Sequence, residues 1–390
     1  MINKNYRYFL AQDFMSALAG SLSATILIWH LLQRENGIFL VALLNIALNL
    51  PGIFSFLFGS LLDQSSAKKY IQLTRLTGLA YILFVITFLT FEWHVSLLLP
   101  VVFTRAMIGQ NYYVAKKAYI QRLIDKEVLE KANRLESILD SLSGYAFGIA
   151  IGLLMIHFNN IHLVIAGIFV QAIAIYLTSK LEKDTPSASV DEKVSKLEGF
   201  RYIGKSYAMK MVTLTDILIN WLFEGFTIYI LIIASQFYQG PMIAGIMDSS
   251  LYFGEFLGGI VAALWIFKKM KVGVKGIVSI SLYGLLLLVL SFFTNSLFMI
   301  PILALSGIFL GIFSICYTTI LQGVIPKSEF SKVLSAKYSI SVGLKPLGTL
   351  FFGTIAYVLS PQAFFIVFGI ACILVAALYA SSTEIRKLSL

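Results

Sequence analysis

Twelve apolar segments, each long enough to cross a membrane, follow one another from one end of this chain to the other. A helix that crosses the hydrocarbon core of a bilayer needs about 20 mostly apolar residues. Because lipid offers the backbone no hydrogen-bond partners, runs of this length can cross only as α-helices. The sequence therefore predicts an all-α integral membrane protein with twelve transmembrane helices. The predicted spans are residues 7–32, 37–62, 70–91, 96–117, 134–157, 160–180, 207–235, 240–267, 275–294, 297–321, 337–359 and 362–382.

Positive charge is distributed unevenly among the connections between these spans. Of the 30 Lys and Arg residues, all but four lie in, or at the rim of, one alternating set of connections. Short loops rich in Lys and Arg stay on the cytoplasmic side of a membrane, so both termini are expected in the cytosol. The same bias explains the net charge of +10, which does not indicate nucleic-acid binding. The exceptions are Arg34 in an outer connection and Arg75, Arg105 and Lys345 inside predicted spans.

The longest connection, residues 181–206, divides the chain into two parts with six predicted spans each. We therefore expect helical domains at 1–180 and 207–390, joined by a cytoplasmic linker. The two parts also share a short repeat, because Ile120–Lys126 aligns with Leu321–Lys327 at an offset of 201 residues. Matching loops at equivalent points of two six-span parts indicate a duplicated architecture of two pseudo-symmetric six-helix bundles.

The connection between spans two and three carries a recognisable motif. It begins Gly59-Ser60-Leu61-Leu62-Asp63 and ends with Lys68 and Lys69. This resembles the signature of the major facilitator superfamily, Gly-x-Leu-x-Asp followed by a basic cluster, and the resemblance extends over the whole chain. The chain departs from the signature at Gln64, Ser66 and Ala67, where the family usually has Arg, Gly and Arg.

Two further features of the family are found in spans four and five. Arg105 is followed four residues later by Gly109 in span four. Span five has a glycine at every fourth position, and small residues at this spacing permit close helix packing. These glycines are Gly144, Gly148 and Gly152, and the proline that usually follows the middle glycine in antiporters is replaced by Ile149.

The resemblance implies a secondary active transporter of a bacterial cytoplasmic membrane, working as a monomer by alternating access. The short outer loops and the ending Thr383–Leu388 are similar to macrolide-efflux-type drug exporters. That similarity favours proton-coupled efflux of amphipathic or drug-like molecules. The alternatives are proton-coupled import or export of a specific metabolite, siderophore or peptide, or a non-transporting protein on the same fold. The sequence has no nucleophile motif, metal-ligand cluster or phosphate-binding glycine loop, so we expect neither an enzyme nor a cofactor.

Asp63 is expected to act at the cytoplasmic mouth of the protein. Its carboxylate can accept hydrogen bonds from the N-terminus of span eleven, which is predicted to begin near Lys337. Such a contact would hold the two halves together in one state of the transport cycle. The alternative is that Asp63, Lys68 and Lys69 form a solvated turn.

Ionised side chains inside spans are costly, about 2.5–3.5 kcal/mol each at the centre, and are usually paired or functional. In the second half we expect Glu224 or Glu255 to carry a proton and Lys345 to be its switchable partner. A static ion pair between Lys345 and one acid is the alternative. The candidates for proton coupling in this half are Glu224, Glu255, Asp216, Asp248 and Lys345.

In the first half, Asp13 and Arg105 are candidate cavity charges that could pair. Three further charged residues, Arg75, Glu136 and Asp140, are expected to reach water at the inner membrane surface.

Polar and aromatic side chains on the same spans predict a substrate cavity. Aromatic faces beside carboxylates suit lipophilic cations through hydrophobic contact and cation–π attraction. The candidate cavity residues are Gln12, Asn111, Tyr112, Asn220, Trp221 and Tyr252.

Overall fold

The structure, a computed structural model, describes residues 4–35, 37–185, 197–234, 236, 240–264, 270–294, 297–356 and 358–388. These residues are helical almost throughout, which confirms the all-α prediction. The first half of the chain forms α1 (Lys4–Leu32), α2 (Gly37–Asn49), α3 (Phe56–Gln64), α4 (Ala67–Phe91), α5 (Val95–Gln110), α6 (Tyr112–Leu123), α7 (Lys126–His157) and α8 (Asn160–Ser179). The second half forms α9 (Glu198–Lys205), α10 (Tyr207–Ala234), α11 (Gly240–Val261), α12 (Val272–Leu290), α13 (Met299–Val324), α14 (Phe330–Ile355), α15 (Pro361–Ser381) and α16 (Thr383–Lys387).

Every predicted span coincides with a helix or with two consecutive helices. Span two is interrupted by a 3₁₀ turn, Leu50–Ser55, because Pro51 has no N–H to continue the preceding α-helix. Span four is divided at Asn111, between α5 and α6. Seven of the helices within the described ranges are long and apolar enough, by length and composition, to cross a membrane. The second and fourth spans fall short of that length because each is shared by two helices.

The chain forms two compact units that differ slightly from the predicted halves. Unit 1 comprises Met1–Leu123, Ser143–Gly199 and Lys327–Val342, and unit 2 comprises the remainder. Each unit thus includes the opening turns of one long helix, α14 in unit 1 and α7 in unit 2. The segment of α7 in unit 2 ends at Leu142, and the segment of α14 in unit 1 ends at Val342. These two ends are about equivalent in the sequence repeat, because their separation is one residue less than the repeat offset of 201. Of the predicted linker, residues 186–196 lie outside the described residues, and its end forms α9.

Apolar side chains from α1, α2, α4, α5 and α8 pack together in the core of unit 1. Leu27, Val85, Leu98 and Val164 are among the fully buried members of this cluster. Since α1, α4 and α5 also carry Asp13, Arg75 and Arg105, this packing holds those three residues in fixed positions relative to one another.

The most extensive helix packing that the structure describes in unit 2 lies between α11 and α13. A Cβ added at Gly254 would lie 2.8 Å from the Cα of Gly307, so only glycine allows this approach. We predicted close packing on span five instead. At Gly152, however, an added Cβ would meet nothing within 4 Å, and the surroundings of Gly148 lie outside the described residues. The close contact therefore involves spans eight and ten.

Candidate functional site

Asp13 of α1 lies at the centre of a buried charge cluster in unit 1. Its Oδ1 atom accepts a hydrogen bond from Nη2 of Arg75 at 3.0 Å, and its Oδ2 atom lies 2.7 Å from Nζ of Lys116. The hydroxyl of Tyr112 also donates to Asp13, and the Arg75 guanidinium stacks 4.2 Å from the Tyr112 ring centroid. Gln12 accepts from Nε of Arg75 at 2.7 Å. One carboxylate is therefore shared by two cations.

The expectation that Arg75 and Glu136 reach water is wrong. Arg75 does not reach water, because its guanidinium turns towards α1 and the residue is only 4% exposed. Glu136, at 1% exposed, is buried as well. Asp13 pairs with Arg75 and Lys116 rather than with Arg105. Sequence reasoning overlooked Lys116 because it lies at the inner end of predicted span four, where charge is ordinarily solvated.

Asp63 contacts the N-terminus of α14 within unit 1. Its two carboxylate oxygens accept the backbone N–H groups of Ser331 at 3.0 Å and Lys332 at 2.9 Å, and the residue is 1% exposed. Free N–H groups and the helix dipole favour an anion at this point. Gly59, one turn earlier, permits the approach, because an added Cβ would lie 2.8 Å from the Cα of Lys332. The contact predicted between Asp63 and the N-terminus of span eleven is thus present. The helix begins at Phe330, seven residues before the predicted start at Lys337.

Burial disfavours the ionised form of Asp63. It raises the pKa of Asp63, which follows the predicted membrane span, to about 6, while the bonds from Ser331 and Lys332 and the charge of Arg122 act in the opposite direction. The side chain is therefore ionised at neutral pH, at a free-energy cost.

Arg122 joins Asp63 to a second buried carboxylate, Asp184. The guanidinium lies 3.8 Å from Oδ1 of Asp63 and 2.7 Å from Oδ2 of Asp184. Asp184 also accepts the backbone N–H groups of Ala67 and Lys68, at 2.9 and 3.0 Å, and so caps the N-terminus of α4. Sequence reasoning assigned Asp184 to the linker, because nothing in its spacing shows that the chain folds back onto α4.

The Asp184→Asn substitution is expected to destabilise the fold. The side chains of Asp184 and Arg122 are 0% and 5% exposed, and breaking such a buried pair costs about 3–5 kcal/mol. Burial raises the pKa of Asp184, but bonds from Ser66, Lys68 and Arg122 outweigh it and leave the pKa below its ordinary value of 3.8. Its contribution is therefore present above pH 3.8 and is lost as the pH falls through the lowered pKa. Thermal unfolding of purified protein, followed by tryptophan fluorescence, would measure the loss; an unchanged melting temperature at neutral pH would contradict it.

The remaining signature residues differ in what they contact. Lys68 donates through Nζ to the carbonyl oxygens of Leu181 and Ser179. Lys69 is exposed, and no partner for its ammonium group lies among the described residues. Leu61 is 58% exposed, on the outside of the unit. The predicted solvated turn therefore describes Lys69 but neither Asp63 nor Lys68.

The acids of unit 2 lie in unlike environments. Glu224 of α10 has its Oε1 atom 3.8 Å from Nζ of Lys345 and accepts from the Thr349 hydroxyl at 2.9 Å. Both side chains of this ion pair are partly exposed. Asp216 accepts from the hydroxyl of Tyr317 at 2.7 Å, and Asp248 is exposed.

Glu255 of α11 differs from Glu224 in having no cation among the described residues. Among the described residues, its single polar side-chain contact is with the Ser141 hydroxyl at 3.5 Å. The close packing of α11 on α13, at Gly307 and Gly311, fixes the backbone on either side of it. A carboxyl group in such a place binds a proton more readily than one with a cation nearby.

Arg105 of α5 lines a cavity of about 340 Å³ within unit 1. Gly109, one turn later, makes room for the side chain, because an added Cβ would lie 2.6 Å from Nη1 of Arg105. The Arg-x-x-x-Gly spacing seen in the sequence therefore has a direct geometric reason. Polar groups of Tyr81, Gln110 and Gln171 line the same cavity.

None of the six residues that we expected in a substrate cavity lines this one, and their roles stay predictions. Gln12 and Tyr112 belong to the Asp13 cluster. The side-chain amides of Asn111 and Asn220 donate to carbonyl oxygens of their own turns, those of Met107 and Asp216. Trp221 packs against Phe351 and Phe352, with ring centroids 4.7 and 5.1 Å apart, and Tyr252 is 38% exposed.

Comparison with known proteins shows which protein family the chain belongs to. The family model of the Major Facilitator Superfamily matches residues 10–341, and the chain belongs to that superfamily. It is a transporter by family and has the twelve-helix fold that we predicted. No curated protein sequence matches it significantly. Within the described residues, no group of three or more His, Cys, Asp or Glu side chains could hold a metal ion.

Solved structures resemble the chain along nearly its whole length. The fucose:proton symporter of E. coli has a TM-score of 0.76 at 11% identity, with 97% of this chain and 99% of that chain covered. The human organic anion transporter MFSD10 has a TM-score of 0.74 at 13% identity, with 97% and 100% covered. A bacterial homologue of the iron transporter ferroportin has a TM-score of 0.74 at 12% identity, with 97% and 99% covered. At these identities the likeness establishes the fold alone.

Proposed function

We propose that this transporter exports an amphipathic small molecule in exchange for protons, by alternating access across a bacterial cytoplasmic membrane. The fold supports such coupling, since one of the similar structures is a proton symporter. The outward direction is supported by the resemblance of the short outer loops and the chain ending to macrolide-efflux-type exporters.

The observation that carries the proposal is the contrast between Glu255 and Glu224. Glu224 has Lys345 at 3.8 Å, whereas Glu255 has no cation among the described residues. An acid that is half-buried without a counter-ion is the better place to bind a proton in one state and release it in another. We therefore assign proton binding to Glu255 and a structural ion pair to Glu224 and Lys345.

Asp63 is proposed to stabilise one state of the cycle. Its carboxylate holds the opening turn of α14 against α3, and the cycle requires this contact to break and reform. Arg122 and Asp184 anchor the loop from which Asp63 acts, and they are proposed to stay in place throughout.

The test uses inside-out vesicles that contain the protein and have an imposed proton gradient. A panel of amphipathic cations, anions and neutral macrolides is added, and substrate accumulation is followed together with internal pH. We expect at least one compound to accumulate only while the gradient persists and to release protons as it does so. Accumulation without proton movement would contradict the exchange, and proton movement in the same direction as the substrate would replace exchange by symport.

A further inference from the structure

The cavity beside Arg105 is lined mainly by apolar side chains. Arg105 lies ten residues into α5, about 15 Å from its start at 1.5 Å per residue. Leu27, Ile28, Leu44 and Val102 form much of the surrounding wall. A guanidinium at this depth is costly unless an anion or water solvates it.

Arg105 has no bonded acceptor among the described residues. The guanidinium makes no hydrogen bond or ion pair with them. Tyr70, which lies nearby, donates its hydroxyl proton to the carbonyl oxygen of Ile108 at 2.9 Å and makes no bond to Arg105. The side-chain amide of Gln171 faces Gly78, where an added Cβ would lie 2.9 Å from Gln171 Nε2 and 3.5 Å from Nη2 of Arg105. The Gln171 atom nearest to Gly78, Nε2, is an N–H donor that bonds the carbonyl oxygen of Arg75 at 2.7 Å, so it cannot accept from Arg105.

The charge balance of unit 1 points the same way. Asp13 is the single acid within its described spans, apart from Asp63 at the end of α3, and it is shared by Arg75 and Lys116. The spans therefore hold an excess of positive charge even before Arg105 is counted. Arg105 cannot borrow the Asp13 carboxylate without taking it from two closer cations.

We propose that the Arg105 cavity binds the anionic group, a carboxylate or a phosphate, of an otherwise apolar molecule. The planar guanidinium can hold such a group through two parallel hydrogen bonds. The apolar wall would take the remainder of the ligand, and a volume of about 340 Å³ fits a small aryl or alkyl acid. The inference rests on the proposed function when it calls this ligand the transported substrate. The charge of the ligand is then negative, whereas the aromatic content alone favours a cationic substrate.

A second opening beside Arg105 is consistent with an amphipathic ligand. A cavity of about 360 Å³ between α4 and α5 is lined by Thr77, Pro100, Thr104 and again Tyr81 and Arg105. Ala80, Pro100 and Thr104 are exposed, so this cavity opens on the outer face of the two helices. An acidic lipid could reach the guanidinium by this route, with the same headgroup chemistry as a free acid.

The experiment compares matched ligands that differ only in charge. Wild-type protein is placed in nanodiscs of neutral phosphatidylcholine, and its thermal unfolding is followed with hexanoate, 4-phenylbutyrate, decanoate and phenyl phosphate. The controls are the corresponding esters and the quaternary ammonium compounds of the same chain length. We expect at least one anion to stabilise the protein with at least ten-fold higher apparent affinity than its ester. Arg105→Gln should abolish this preference, and Arg105→Lys should keep part of it.

Each outcome decides between the alternatives. The proposal is overturned if no anion binds with higher apparent affinity than its ester, or if a quaternary ammonium compound binds more tightly than the ester of the same chain length. This comparison needs only wild-type protein. A second set of nanodiscs contains phosphatidylglycerol: if that lipid stabilises wild type but not Arg105→Gln and weakens binding of the free acid, the anion comes from a lipid. Transport is scored separately in vesicles, so an anion that binds without being carried would leave the site but remove its assignment as the transported substrate.

Discussion

We expect the Asp63→Asn substitution to lower transport at least ten-fold while leaving the amount of folded protein in the membrane unchanged. The carboxylate accepts two backbone N–H groups of α14, and a hydrogen bond to a charged group contributes about 1.5–3 kcal/mol. An amide keeps the shape but loses the charge, and its NH₂ group faces other donors. A loss of about 1.4 kcal/mol from one state is already a ten-fold shift in its population.

The fold should tolerate this change because ionised Asp63 is itself costly. Its pKa in the folded protein is about 6, above the ordinary 3.8, so the folded chain binds this proton more tightly than the unfolded chain. The stability that Asp63 provides is therefore complete below pH 3.8 and declines as the pH rises to about 6. The Asn variant lacks this decline, and thermal unfolding between pH 4 and 7 would show the difference. The contrast with Asp184→Asn, which should destabilise the protein at neutral pH, separates the two carboxylates.

The control for Asp63 is Lys69→Gln in the same loop. Lys69 belongs to the same signature but is exposed, with no partner for its ammonium group in the described part of the chain. Its substitution should leave both transport and stability within about two-fold of wild type, as is usual for exposed positions. Equal effects of the two substitutions would mean that the loop acts only through its overall charge. Unchanged transport by Asp63→Asn would end the assignment of a latch.

The helices and the signature contact could be predicted because each depends on local sequence. Apolar length defines a span wherever its neighbours lie, and the twelve predicted spans all reappear as helices. The contact of Asp63 could be predicted because the signature motif puts the residue at the end of span two and a helix N-terminus favours an anion. The error of seven residues at the start of α14 arose because polar residues such as Ser331 and Lys332 were assigned to the loop.

The charge cluster and the cavity could not be predicted because they depend on which helix faces are opposed. Sequence spacing shows that Arg75 lies two turns into its helix, but not that its guanidinium turns towards Asp13 on α1. The sequence places Arg105 inside its span, yet that it bonds no acceptor emerges only when the positions of Gln171 and Tyr70 are known. Aromatic residues such as Trp221 pack against one another, which sequence spacing does not show, and the substrate stays a prediction.

Replacing Glu255 by Gln should abolish the pH dependence of transport, whereas replacing Glu224 by Gln should preserve it. Both substitutions remove one carboxylate from a helix of unit 2, so they form a matched pair. Glu255 has the Ser141 hydroxyl at 3.5 Å and no cation among the described residues. Its neutral amide mimics the protonated acid permanently, and the protein should then carry substrate, if at all, without responding to the proton gradient.

For Glu224→Gln, we expect a lower transport rate but an unchanged pH profile. Lys345 at 3.8 Å would keep its positive charge without a partner, but both side chains are partly exposed and water can replace the carboxylate. Exposed ion pairs contribute about 0–1 kcal/mol, so the transport rate should fall modestly while its pH profile keeps its shape. The measurement is the initial transport rate between pH 5.5 and 8.5 in vesicles with equal amounts of each variant. A profile that survives in Glu255→Gln and disappears in Glu224→Gln would move the proton to Glu224 and make Lys345 its switch.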